Sequence, residues 1–182
     1  DAAIIVVNCK ACIEVGTEKA WEICEKYHLP RMFFVTNMDD DHASYRELVL
    51  KLETKFGRKI APFHLPIREN EKFVGFVNVV KMAGRRFTTL SDYEECEIPE
   101  YSQKNLGICR EALMEAVAET SEEFMERYFS GEEFTYEEIS SALREHVIDG
   151  SIVPVMLGSG IHGQGAKMVL QAVDKYFPSP DR

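Results

Sequence analysis

These 182 residues contain no apolar run of membrane-spanning length and no opening segment with the order of a signal peptide. Both absences lead us to expect a cytoplasmic chain with no membrane contact. Basic charge is scarce: 21 Lys and Arg stand against 31 Asp and Glu, for a net charge of −10 and a pI near 5.0. Gripping nucleic acid requires clustered cations that neutralise phosphates, so no direct nucleic-acid grip is expected of this chain. No Gly-x-x-x-x-Gly-Lys-[Ser/Thr] segment occurs. Its absence removes the loop that cradles phosphates with backbone N–H groups and a Lys and offers a hydroxyl to Mg²⁺. Repeats, low-complexity tracts and flexible linkers are also missing.

Cysteines are few and odd in number: Cys9, Cys12, Cys24, Cys96 and Cys109. Their odd number and uneven spacing do not suggest a disulfide framework. Cys9-Lys10-Ala11-Cys12 has the C-x-x-C form, but no second pair is spaced to complete a zinc site. A redox role would need the first thiol exposed at a helix start. Two reduced cysteines filling a loop is the favoured account. His28, His42, His64, His146 and His162 share no ligand spacing and read as structural or exposed. We therefore expect no catalytic residue and no metal ligand set within the chain.

What is present is enough apolar content, 45% of residues, for a real core. Ala3 to Val7 is a continuous β-branched run that suits a strand buried on both faces, as in a parallel sheet. Gly16 to His28 reads as a helix whose apolar face carries Ala20, Trp21, Cys24, Tyr27 and His28, and Pro30 stops it. Met32 to Val35 is a second buried strand. Ser44 to Phe56 is a second helix, with Leu48, Leu52 and Phe56 in line and Gly57 just past its end. Strand, helix, strand, helix is the signature of a wound parallel sheet.

From Ile60 to about Ile98 the pattern changes to strands and turns. Pro62 and Pro66 confine any strand over Ile60–Ile67 to a short or edge position. Phe73 to Val80 reads as a strand, followed by Met82 to Thr89 with a turn near Gly84. From Ser102 the chain turns helical, with Leu106, Cys109, Leu113, Ala116 and Val117 on one face and Ile139, Leu143 and Val147 on another. Thr120 with Glu123, and Thr135 with Glu138, match the capping-box pattern. Ile152 to Leu157 returns to a buried strand, and Ala166 to Phe177 to an amphipathic helix. The expected division is 1–59 with 151–182 as one unit, and 60–150 as an inserted α+β subdomain. Much of the negative charge falls between Asp92 and Glu145. There it suits either a solvated helical face or a surface that steers a basic protein partner.

The segment richest in chemistry is Phe33-Phe34-Val35-Thr36-Asn37-Met38-Asp39, where a buried strand ends in polar residues and a carboxylate. In an α/β sheet that end is where ligands bind. In P-loop GTPases the corresponding strand ends in Asn-Lys-x-Asp, which reads guanine. Here the Asp is kept as Asp39, while Thr36 and Asn37 stand in place of Asn and Lys. An ordinary strand end with a turn-capping Asp in Asp39-Asp40-Asp41 fits the motif alone equally well.

Further segments agree in order and spacing: Val15-Gly16-Thr17-Glu18-Lys19-Ala20-Trp21, His28-Leu29-Pro30-Arg31, Ile152 through Gly160, and Tyr176-Phe177-Pro178-Ser179-Pro180. Together they resemble the elongation factor G family of translational GTPases over essentially the whole chain. The resemblance implies an α/β fold, a partial P-loop-GTPase-like parallel sheet with helices, interrupted by an α+β insertion. It also implies that the chain is the second half of a GTP-binding domain. GTP or GDP would be the ligand, with guanine contacts at Thr36, Asn37, Asp39, Ser159 and Gly160. Phosphate and Mg²⁺ ligands would lie in residues not present here, so the chain should not hydrolyse GTP alone. Thr36 and Asn37 predict weakened guanine affinity.

The function so implied is a part in ribosomal translocation, with the ribosome as partner and the acidic insertion meeting the ribosomal stalk protein. The alternative is a paralogue with a degenerate nucleotide site, or a ribosome-protection factor, whose insertion serves as a protein-binding module. Exposed strand edges would also permit self-association.

Overall fold

A computed structural model describes residues 1–40, 44–57, 59–89 and 91–179. In chain order its elements are β1 (Ala3–Asn8), α1 (Val15–Lys26), β2 (Arg31–Thr36), α2 (Tyr45–Phe56) and β3 (Ile60–Pro62). Then come β4 (His64–Glu69), β5 (Lys72–Asn78), β6 (Ala83–Phe87) and β7 (Tyr93–Cys96). The helices α3 (Glu100–Ala118), α4 (Glu122–Ser130) and α5 (Tyr136–Asp149) follow, then β8 (Val153–Leu157) and α6 (Ala166–Tyr176). Four strands form a parallel sheet in the order β1-β2-β8-β3, and four form an antiparallel sheet in the order β4-β5-β6-β7. The fold is thus α/β with an antiparallel sheet and three helices between β3 and β8, as the sequence pattern implies.

The β-branched and aromatic runs end up where their composition directs them. β8 is buried along its whole length, and Met32, Phe33 and Val35 of β2 are fully buried. β1 departs from expectation. Ile5 and Val7 are buried, but Ile4 is 40% and Val6 60% exposed, because β1 is the edge strand and none of the described residues covers its other face. The prolines behave as argued: Pro62 and Pro66 lie in β3 and β4, each an edge strand of its sheet.

Trp21 of α1 stacks on Phe56 of α2 at 4.3 Å and on Phe33 of β2 at 5.8 Å, fixing both helices to the sheet. Arg31 is buried at the start of β2. Its guanidinium lies 4.1 Å from the Trp21 ring and pairs with Glu25, which meets the cost of burying a cation. α1 runs from Val15 to Lys26 rather than to His28, and Tyr27 is 61% exposed, so neither Tyr27 nor His28 belongs to its buried face.

Two punctuation marks differ from the sequence pattern. Gly84 is no turn residue. It lies inside β6, where a Cβ would stand 2.5 Å from the Cys96 carbonyl oxygen, so its smallness serves close strand approach. Thr120 does not cap a helix either. Its Oγ1 donates to the Val117 carbonyl at the end of α3, and Ser121 caps α4 by accepting from the Phe124 N–H. The Thr135–Glu138 box is present at the start of α5, and Arg127 of α4 forks onto Glu138 at 2.7 and 3.2 Å.

Phe63 links the two sheets. Its N–H bonds Val155 of β8, and its carbonyl accepts from Val79 just past β5. One hydrophobic cluster runs across both sheets and the helices.

Candidate functional site

The carboxyl ends of β1, β2 and β8 come together at one edge of the parallel sheet. The Cys9 N–H bonds the Thr36 carbonyl at 3.0 Å, which joins the β1 and β2 loops. Asn8 closes the β1 loop by accepting from the Lys10 and Ala11 N–H groups at 2.9 and 3.1 Å. Cys9 is buried there, and burial, with Cys12 adding, pushes its thiol up to about 11. A thiol so protonated is packing, not a nucleophile. All five cysteines are free.

The β2 and β8 loops are sewn together by three hydrogen bonds. Gly158 donates to Val35 at 2.9 Å, Met38 donates to Gly158 at 3.2 Å, and the Gly160 N–H donates to the Thr36 hydroxyl at 3.3 Å. Asp39 and Ser159 therefore flank the same backbone bridge, each one residue from the Met38–Gly158 pair. All five sequence-predicted positions, Thr36, Asn37, Asp39, Ser159 and Gly160, lie on these two touching loops. Asp41 and His42 fall outside the described residues.

The departures from Asn-Lys-x-Asp have a local rationale. Asn37 has φ of 61°, a left-handed conformation in which Asn is among the most easily accommodated residues. Its carbonyl accepts from the Asp40 N–H at 3.2 Å, so residues 37–40 form a closed turn. Thr36 cannot offer two-sided amide bonding, but its hydroxyl braces the β8 loop through Gly160. Ser159 is fully buried.

Asp39 is half-buried, and its Oδ1 is buried and has no hydrogen-bond partner among the described residues, a state shared by Gln164 Oε1 of the β8 loop and by four other side-chain atoms elsewhere. A buried carboxylate oxygen without a donor is costly, on the order of 1–3 kcal/mol or more, and calls for an explanation in a native structure.

Two cations meet the 37–40 turn that sequence reasoning did not single out. Lys10 lies 3.4 Å from the Asp40 carboxylate. Arg68, from β4, donates to the Met38 carbonyl at 2.7 Å and to the Asp40 carbonyl at 3.4 Å. Neither had a spacing signal, because each contact spans 28 to 30 residues of chain.

Comparison with known proteins bears on the same site. The family described as elongation factor Tu GTP binding domain matches residues 1–179. The protein named elongation factor G from Thermotoga neapolitana is 36% identical over 182 residues, covering 99% of this chain and 26% of that protein. The crystal structure of a protein from Thermus thermophilus superposes with a TM-score of 0.89 at 35% identity, covering 99% of this chain and 27% of that one. This chain thus spans about a quarter of the length of the relatives it matches.

Proposed function

The chain belongs to the elongation factor Tu GTP-binding domain family, and from that premise we propose that it forms the guanine-reading side of the GTP site in an elongation-factor-G-like translational GTPase. Ribosomal translocation is the activity of the whole protein in this reading, and its setting is the cytoplasm. The observation that carries the proposal is the buried, unpartnered Oδ1 of Asp39 beside the Ser159-Gly160 turn. A carboxylate in that position lacks what guanine presents, two adjacent N–H donors. Adenine does not offer that pair, and a site left with an unpaired carboxylate rejects the wrong base. The backbone at Ser159 and Gly160, and the Thr36-Asn37 corner, would frame the rest of the ring.

Residues 1–59 with 151–182 are the expected second half of the nucleotide domain and 60–150 its insertion; because β3 (Ile60–Pro62) pairs with β8 in the parallel sheet, the insertion in this reading starts after Pro62, where the chain crosses at Phe63. Phosphate and Mg²⁺ chemistry is assigned to no residue of this chain.

Titration of GDP and IDP into the protein, with and without Asp39→Asn, tests the reading. IDP lacks the exocyclic amino group, so wild type should prefer GDP by about tenfold or more. Asp39→Asn should erase that preference. Equal binding of GDP to wild type and variant would remove Asp39 from the site.

A second reading is favoured by charge. Sixteen of the 31 acidic residues, but only four of the 21 basic ones, fall between Asp92 and Glu145. Such a surface suits a basic partner, for which the ribosomal stalk protein is the candidate. Binding that weakens between low and high salt supports it, and no binding in either buffer excludes it. The open face of β1, with Ile4 and Val6, offers a route to self-association.

A further inference from the structure

Arg68 is built into its position by three elements. Asn70 and Glu71 both have positive φ, 48° and 68°, and form the two-residue turn between β4 and β5. Next to that turn the β4–β5 register slips between Ile67 and Arg68, where β5 carries Val74 as an extra residue. A bulge of this kind re-aims the neighbouring side chains, while Arg68 stays opposite Phe73 and Glu69 opposite Lys72. The N–H and carbonyl of Arg68, on the edge strand, both bond one hydroxyl of α3: Tyr101 accepts from the Arg68 N–H at 3.0 Å and donates to the Arg68 carbonyl at 3.1 Å.

The guanidinium then spans two parts of the molecule. Nη1 donates to the Glu71 carbonyl at 2.7 Å, within its own hairpin. Nη2 donates to the carbonyls of Met38 and Asp40, the two that bracket Asp39 in the chain. The planar fork thereby ties the hairpin, through Nη1, to the loop, through Nη2, at a fixed separation and angle that a single flexible ammonium does not impose. The contact is half-buried, so water competes with it less than at an open surface.

From this geometry we infer that Arg68 is a positioning residue of the base-reading loop, through which the antiparallel sheet sets the placement of Asp39. The inference rests on the reading of Asp39 as the guanine carboxylate, but its structural half stands without nucleotide. The loop gains its shape from a residue 28 to 30 positions away on another sheet. Displacement of the β4–β5 hairpin, by whatever binds the insertion, would therefore change base affinity.

The test uses the whole protein with Arg68→Ala and Arg68→Lys. In nucleotide-free protein, the amides of Met38 and Asp40 should exchange about tenfold faster in Arg68→Ala, since hydrogen bonds to a charged group are worth about 1.5–3 kcal/mol. Amides of the β8 loop and of α5 should be unchanged. Arg68→Lys keeps charge and stem but loses the fork, and should fall between. GDP affinity should drop about tenfold in Arg68→Ala, with a narrower GDP-to-IDP ratio. Unchanged exchange at residues 38–40 in both variants overturns the inference, as does an increase spread evenly over the whole protein. If Arg68→Ala does not fold, Arg68→Lys decides: faster loop exchange than wild type supports the role, and equal exchange refutes it. If wild type binds no GDP, the guanine reading fails while the exchange experiment still decides what Arg68 does.

Discussion

The two loops that meet at the candidate site are held in opposite ways. The β8 loop is shaped by what its residues lack. At Gly158 a Cβ would stand 2.1 Å from the Gln164 carbonyl oxygen and 2.8 Å from the Phe34 ring. Gly165 has φ of 96° and sits against the Leu157 carbonyl. The Ser159 N–H bonds Gln164 at 2.9 Å, closing the loop on its own backbone. The 37–40 turn is shaped by what reaches it from elsewhere, the Arg68 guanidinium and the Met38–Gly158 bridge, with the exposed Lys10 ammonium 3.4 Å from the Asp40 carboxylate at its rim. A loop made of close backbone contacts is rigid and intolerant of substitution. A loop held by a remote side chain can be adjusted from the element that carries that side chain.

The sharpest way to break this contrast is Gly158→Ala. The added methyl meets a backbone oxygen, which cannot rotate away, so the cost should be about 3 kcal/mol. Urea unfolding would show it as a lowered midpoint at constant slope. A midpoint equal to wild type would mean that the β8 loop yields as easily as its neighbour.

The next test works through His64, at the head of the strand that carries Arg68. It is buried against Phe76 at 4.6 Å, its Nδ1 has no partner among the described residues, and its carbonyl accepts from the Tyr45 hydroxyl at 2.8 Å. Burial lowers its pKa from 6.5 to about 3. The folded state thus holds it neutral while the unfolded chain protonates it. Its contribution is complete above pH 6.5 and is lost as pH falls towards 3, by about 1.4 kcal/mol per pH unit. His64→Gln should flatten that part of the stability profile between pH 6.5 and roughly 4.5. In wild type over the same range, protection relative to the intrinsic exchange rate, which itself slows as pH falls, should drop at residues 38–40 before it does at residues 158–165. The reverse order would show that the hairpin does not govern the turn.

How much of this was legible in the sequence follows the same division. The parallel sheet announced itself in Met32–Val35 and Ile152–Leu157, because burial on two faces demands unbroken β-branched and aromatic residues, and Ala3–Val7 carries the same composition although only one of its faces is covered. The site's location was legible too, since an apolar run that ends in Thr-Asn-Met-Asp marks a strand's carboxyl end. Local capping was readable at Thr135 and ambiguous at Thr120, where two adjacent hydroxyls compete and the end of α3 claims the first. Gly84 misleads because a glycine at a turn and one at a close approach use the same letter. Arg68 was illegible for a different reason. Its partners are backbone carbonyls, which every residue has, so no pairing pattern in the sequence reveals them. The exposure of Ile4 and Val6 was likewise invisible, because strand composition does not say whether both faces are covered.

The smallest expected effect separates charge from geometry. Lys10 and Arg68 are both cations at the 37–40 turn, yet their contacts differ. The Lys10 side chain is 60% exposed and meets a carboxylate 3.4 Å away, an arrangement that solvent and salt weaken to within about 0.5 kcal/mol. Arg68 meets carbonyls with directed N–H groups in a half-buried setting, where placement counts more than net charge. Lys10→Ala should therefore leave stability, loop exchange and GDP affinity nearly unchanged, and the residual effect should vanish at roughly 0.5 M salt, where the Debye length is only about 4 Å. If Lys10→Ala loosens residues 38–40 as much as Arg68→Ala does, positive charge near the turn suffices to hold it. The contrast between a turn positioned by a fork and a loop shaped by glycines would then reduce to one of electrostatics.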